Sequence, residues 1–85
     1  MAYKVVKKNV LNPQIFLMEV EAPLVAKKAE PGQFIILRID EYGERVPFTI
    51  ADFDREKGTV TIIVQIVGKT TKDLAQVEEG EEILD

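Results

Sequence analysis

The chain has 85 residues, 46% hydrophobic and 31% charged, with a net charge of −4 at neutral pH. That length holds one domain with a modest core, and its composition is neither disordered nor membrane-spanning, since FIIL and TIIVQIV fall far short of the roughly 20 apolar residues that cross a bilayer. It has no cysteine and no histidine, which removes disulfides, thiolate ligands, the commonest metal ligand and every Ser/His or Cys/His nucleophile, so any chemistry must be brought by a cofactor or another polypeptide.

The opening stretch MAYKVVKKNV lacks the long apolar segment of a signal peptide, so a cytoplasmic location is the expectation. Its apolar positions Val5, Val6, Val10 and Leu11 form a broken alternation, the mark of a first strand. Asn12-Pro13 is a turn signal, and QIFLMEVEA is a second strand with Ile15, Leu17 and, less cleanly, Met18 and Val20 on its apolar positions. Pro23 ends that strand, and PLVAKKA has the form of a single helical turn. The pairs Lys7-Lys8 and Lys27-Lys28 are too short to be a nucleic-acid footprint, and the acidic balance argues against one.

EPGQF reads as a type II turn, with Pro31 fixing one backbone angle and Gly32 supplying a positive φ. QFIILRID follows as a third strand, EYGE turns the chain, and RVPFTIADFD is the fourth. Pro47 inside it cannot donate to a ladder, which places it at an edge, at the strand's start, or beside something other than a strand. REKG turns into TVTIIVQIV, rich in β-branched residues and the strongest strand signal. GKTTKDLAQV then shifts to helical spacing through Leu74, Ala75 and Val77, and EEGEEILD is a turn opening a sixth strand. Five or six short strands with one late helix point to an all-β antiparallel barrel or sandwich. The chain stops as that last strand begins, which leads us to expect a fragment of something longer.

Two stretches have chemical character. In GKTT, Gly68 lets a ligand approach the backbone, Thr70 or Thr71 can cap the helix, and the first helical N–H groups suit an anion; taken alone, the stretch is better read as a helix cap without any ligand. In RVPFT, Arg45 can pair with phosphate, Phe48 can lie against a flat ring and Thr49 can bond to a ring heteroatom; the bland reading is an edge strand with a core phenylalanine and a surface arginine. Neither stretch supplies a catalytic side chain or a metal ligand.

Taken together, PGQF, RVPFT and GKTT, in that order over nearly the whole chain, resemble the ferredoxin reductase-like flavoproteins. The resemblance implies a six-stranded antiparallel Greek-key barrel with one short helix that binds FAD, or alternatively FMN. It implies that Pro47, Phe48 and Thr49 line the isoalloxazine, and that Arg45, as the phosphate partner, and Val46 also bind the cofactor. Ile63, Val64 and Gln65 would run beside the ribityl and phosphate portion, and Gly68, Thr70 and Thr71 would hold the pyrophosphate. Two residues separate Arg45 from Phe48 where the common motif has one, a spacing seen in a subgroup of electron-transfer subunits of ferredoxin–NADP reductase and dihydroorotate dehydrogenase type.

The same resemblance implies an NAD(P)H-linked oxidoreductase passing electrons between pyridine nucleotide, flavin and iron–sulfur partners within a hetero-oligomer. Its nucleotide-binding domain and [2Fe–2S] segment are absent from these 85 residues, so the stretch alone is not expected to be a competent reductase. Its uncovered apolar surface favours self-association. The rival reading is a small non-enzymatic barrel acting as an interaction module; a core Phe48 and a filled groove would favour it, an exposed Phe48 and an open groove from Thr49 to Thr71 the flavin. A nucleic-acid-binding barrel would need a basic face with exposed aromatics, which this acidic chain does not offer.

Overall fold

The computed structural model of the chain describes residues 2–30 and 32–85. Six strands and two short helices follow in order: β1 Ala2–Asn12, β2 Ile15–Glu21, α1 Pro23–Lys28, β3 Phe34–Leu37, β4 Val46–Asp54, β5 Thr59–Gln65, α2 Lys69–Ala75 and β6 Glu82–Leu84. The single helical turn expected after Pro23 is the six-residue α1, with the proline in its first turn, where a missing N–H costs nothing. The expected Pro31 lies outside the described residues. Its turn is nonetheless marked by Gly32 at φ +88° and by Gln33 N–H donating to Glu30 O at 3.2 Å.

The strands lie in the order β3-β4-β5-β2-β1-β6, every pairing antiparallel. The β3-β4-β5 meander with β2 beside β5 is a Greek key. The two ends of the sheet meet where Arg38 and Leu84 exchange backbone hydrogen bonds of 2.7 and 2.9 Å, closing the barrel and removing its edges there. Arg38 secures that seam by donating its Nε to Asp85 O at 2.6 Å.

The core is the inward face of these strands. In β2 it is Phe16, Met18 and Val20 that are buried, opposite Val64, Ile62 and Val60 of β5. The expected Ile15 and Leu17 point the other way and are half-buried. Both faces of β2 carry apolar residues, so alternation alone does not say which is inside; the register with the β-branched β5 decides it. In β1 the broken alternation has a cause, a register shift between Val5 and Lys7, the signature of a bulge. Helix α2 seals one end with buried Leu74, and Lys8 Nζ donates to the Ala75 carbonyl at its last turn. Arg55 pins α1 to the β4–β5 turn by donating to Ala29 O at 2.7 Å, its guanidinium 4.6 Å from the Phe53 ring centre.

Tyr3, buried in β1, has its phenol pushed above the ordinary value near 10 by burial first and by the Asp85 carboxylate second. A raised folded-state pKa favours the protonated native form, so this contribution is complete below pH 10 and is lost as pH rises through the folded value. Tyr3→Phe should therefore flatten the alkaline limb of a urea-midpoint against pH curve while leaving its neutral limb in place. An alkaline limb identical in both proteins would refute it.

Candidate functional site

The ladder through the middle of the barrel is interrupted. Along residues 46–49, β4 pairs with β3, in the register Phe34↔Thr49, Ile35↔Phe48, Ile36↔Pro47 and Leu37↔Val46. Its pairing with β5 begins only at Ile50↔Ile62, followed by a register shift before Asp52. Strand β5 meanwhile runs on through Ile63, Val64 and Gln65, held by β2 alone. Two backbone edges, one at residues 46–49 and one at residues 63–65, thus face one another without a ladder between them. The position of Pro47 follows: its side of the strand has no partner to which an N–H could donate, so proline is tolerated.

Side-chain direction sorts the expected residues. Cross-strand partners share a face, and Ile50 and Ile35 are buried, so Val46 and Phe48 point inward while Pro47 and Thr49 are exposed. Phe48 is half-buried and packs against the core. It is neither the free ring that would have favoured a flavin nor a fully buried one. On β5, Val64 is only 1% exposed and can offer a ligand backbone atoms alone, whereas Ile63, at 51%, and Gln65 face outward. Val67 is 73% exposed just beyond the strand. Arg45 is exposed immediately before β4, with no ion pair among the described residues.

The GKTT turn carries the chain from β5 into α2, but the cap differs from expectation. Gly68 is the N-cap, with extended backbone, and Thr71, three residues on, reaches back. Its Oγ1 accepts from Val67 N–H at 2.9 Å and Gly68 N–H at 3.0 Å and donates to Gly68 O at 3.0 Å. A glycine has no side chain with which to cap, so the reciprocal half of a capping box does the work. The hydroxyl of Thr71 is therefore committed to the turn, and what the turn leaves for a ligand is backbone N–H from the first residues of α2. Thr70 takes a different partner, donating to Glu44 Oε1 at 2.7 Å, which ties α2 to the residue before Arg45. Thr70 and Glu44 line a cavity of about 500 Å³ together with Tyr42, Gly43 and Lys69. Hydrogen bonding to Asp73, with smaller attraction from Asp40 and Glu44, raises the pKa of exposed Lys69 and keeps it cationic.

The motifs distant in sequence are thus brought together: residues 45–49 and 63–65 face each other across the open ladder, and Glu44 joins the first to residue 70. Sequence reasoning missed two exposed apolar side chains here, Phe34, 63% exposed and opposite Thr49, and Val67. The alternation of Val46, Phe48 and Ile50 against Pro47 and Thr49 was the available signal, because it places the outward partners of Thr49 on β3. The chemistry on offer is recognition: unpaired backbone edges for the polar rim of a flat ring, exposed apolar side chains for its faces, and N–H groups with nearby cations for an anion.

No family model matches the chain. A Clostridium beijerinckii protein named "Uncharacterized protein in adh 3'region" is 60% identical over 83 residues, covering 98% of this chain and 28% of the relative. The "Dihydroorotate dehydrogenase B (NAD(+)), electron transfer subunit homolog" of Thermotoga maritima is 43% identical over 82 residues, 96% of this chain and 29% of that protein. A solved structure described as "Insights into flavin-based electron bifurcation via the NADH-dependent reduced ferredoxin-NADP oxidoreductase structure" superposes with a TM-score of 0.95 at 42% identity, over 98% of this chain and 30% of that one. The chain spans less than a third of the length of each of these three.

Proposed function

We propose, for a chain that is a ferredoxin reductase-like barrel by fold and by sequence, that these residues form the flavin-holding domain of an electron-transfer subunit. The observation that carries the reading is the interrupted ladder between β4 and β5, whose free edges lie next to the turn that starts α2. A closed small barrel satisfies its backbone within the sheet; one that leaves facing edges unpaired along residues 46–49 and 63–65 has kept them for another partner.

FAD is the group we assign to this gap, in preference to FMN. Its chemistry when bound is the exchange of electrons in pairs or singly, which a chain without histidine or cysteine does not supply itself. Thr49 would hydrogen-bond the ring's polar rim, with Pro47 and Ile63 against its apolar parts. The backbone of residues 63–65 would track the ribityl portion. Arg45 and the N–H groups held in place by Gly68, Thr70 and Thr71 would meet the phosphates. Val46, Phe48 and Val64 support this surface from the inside.

The whole subunit we read as moving electrons between NAD(P)H, flavin and an iron–sulfur partner in a hetero-oligomer, with the nicotinamide site and the [2Fe–2S] centre in segments beyond these 85 residues. The electron-transfer name of the Thermotoga maritima relative supports this. No helix among the described residues is long and apolar enough to cross a membrane, and we place the protein in the cytoplasm. The interaction-module reading is not favoured, because it gives no account of the open ladder.

Titrating the purified chain with FAD, followed by quenching of flavin fluorescence, tests the reading, with FMN run in parallel. Thr71→Ala removes a cap-type hydroxyl worth about 0.5–2 kcal/mol and should weaken FAD by about tenfold, 1.4 kcal/mol being a factor of ten. Thr71→Ser, which keeps the hydroxyl, should bind like the wild type. Absence of saturable quenching in the wild type would defeat the proposal.

A further inference from the structure

The aromatic residue best placed to meet a flat ring beside Thr49 is not the one in the RVPFT stretch. Phe48 faces inward and packs on the core. Phe34 opens β3, 63% exposed, and stands directly opposite Thr49 in the β3–β4 register. Directly opposed residues of an antiparallel pair share a face with Cβ atoms roughly 4.5–5.5 Å apart, so Phe34 and Thr49 are side-by-side neighbours on the outer face. The next pair on that face, Ile36 and Pro47, continues the surface with further apolar atoms. A phenylalanine 63% exposed buries little of its ring in the fold, and one beside Thr49 at the rim of an open ladder is placed to cover something.

We infer that Phe34 is a flavin-contacting residue: it covers the edge of the ring system at Thr49 and keeps water from the hydrogen bond made there. This rests on the flavin reading of the gap given above and adds to it the residue that encloses the ring on the β3 side. An aromatic contact beside a hydrogen bond acts twice, through its own dispersion and through exclusion of competing water.

The experiment compares wild type, Phe34→Ala and Phe34→Trp by FAD titration and by iodide quenching of the residual fluorescence of bound flavin. Phe34→Ala should weaken FAD by about three- to tenfold and raise the accessibility of bound flavin to iodide. Its thermal midpoint without FAD should stay near that of the wild type, because the side chain is mostly in water. Phe34→Trp should restore affinity and protection. Wild-type affinity and wild-type iodide protection in Phe34→Ala would overturn the assignment while leaving flavin binding intact. A wild type that does not bind FAD would bring down the flavin reading itself and this assignment with it.

Discussion

Phe16→Ala should lower the stability of the barrel by about 3–5 kcal/mol. Phe16 is 1% exposed, on the inward face of β2 between Met18 and the hairpin, opposite Val64 of β5. Its ring also takes the Lys8 ammonium, 5.5 Å from the ring centre, and Lys8 in turn reaches the last turn of α2. Removing the ring leaves a cavity where the β1–β2 hairpin, β5 and α2 converge, and three strands locked in register cannot close over it. A domain of this size has roughly 4–13 kcal/mol in total, at about 0.05–0.15 kcal/mol per residue, so one truncation removes roughly a quarter or more of what there is. In urea the midpoint should fall sharply with little change in slope. Val10→Ala, at the register partner of Phe16 but 67% exposed at the hairpin end, should stay within about 0.5 kcal/mol of wild type. Equal effects of the two substitutions would mean that the core is not where β2 and β5 meet.

Much of this barrel could be read from local chemistry. The turns at Asn12-Pro13, Gly32 and residues 55–58 stand where the sequence puts them, since proline fixes one backbone angle and glycine readily takes a positive φ whatever surrounds them. The long β-branched run of β5 behaves likewise: it lies at the centre of the sheet with Val60, Ile62 and Val64 buried. What was not legible depends on partners far along the chain. Whether Phe16 or Leu17 faces inward is decided by β5, some 45 residues away. The cap of α2 is set by Gly68, which has no side chain to announce it, with Thr71 doing the bonding from inside the helix. The candidate site could be proposed from the sequence as a set of residues but not as a shape. Arg45 to Thr49 holds one of the motifs that carry the resemblance, yet the gap between it and residues 63–65 exists because β4 changes partner at Ile50, and sheet partners cannot be seen in a single strand. The same limit conceals from a single strand that Phe48 is half-buried against the core while Phe34 is exposed opposite Thr49.

Gly58→Ala separates backbone strain from close approach at the joint between the β4–β5 hairpin and α1. Asp54 organises this turn, its carbonyl accepting Gly58 N–H at 2.8 Å and its Oδ1 accepting Glu56 and Lys57 N–H at 3.0 Å each. Gly58 sits at φ +70°, where an alanine pays about 1–2 kcal/mol. A Cβ added there would also lie 3.0 Å from Pro23 Cβ and 3.3 Å from Pro23 Cα. That proline cannot retreat, because Gly58 O accepts the preceding residue's N–H, Ala22 N, at 2.9 Å, and α1 is anchored at its other end by Arg55. Overpacking of this kind adds about 1–3 kcal/mol, for a total of about 2–5 kcal/mol. Gly32→Ala supplies the comparison: φ is +88°, but nothing lies within 4 Å of its added Cβ, so it should cost the backbone share alone, about 1–2 kcal/mol. The difference between the two urea-derived stabilities measures the Pro23 contact. If Gly58→Ala proves no worse than Gly32→Ala, the hairpin and α1 do not press on one another, and the pinning of α1 by Arg55 would hold a loose joint.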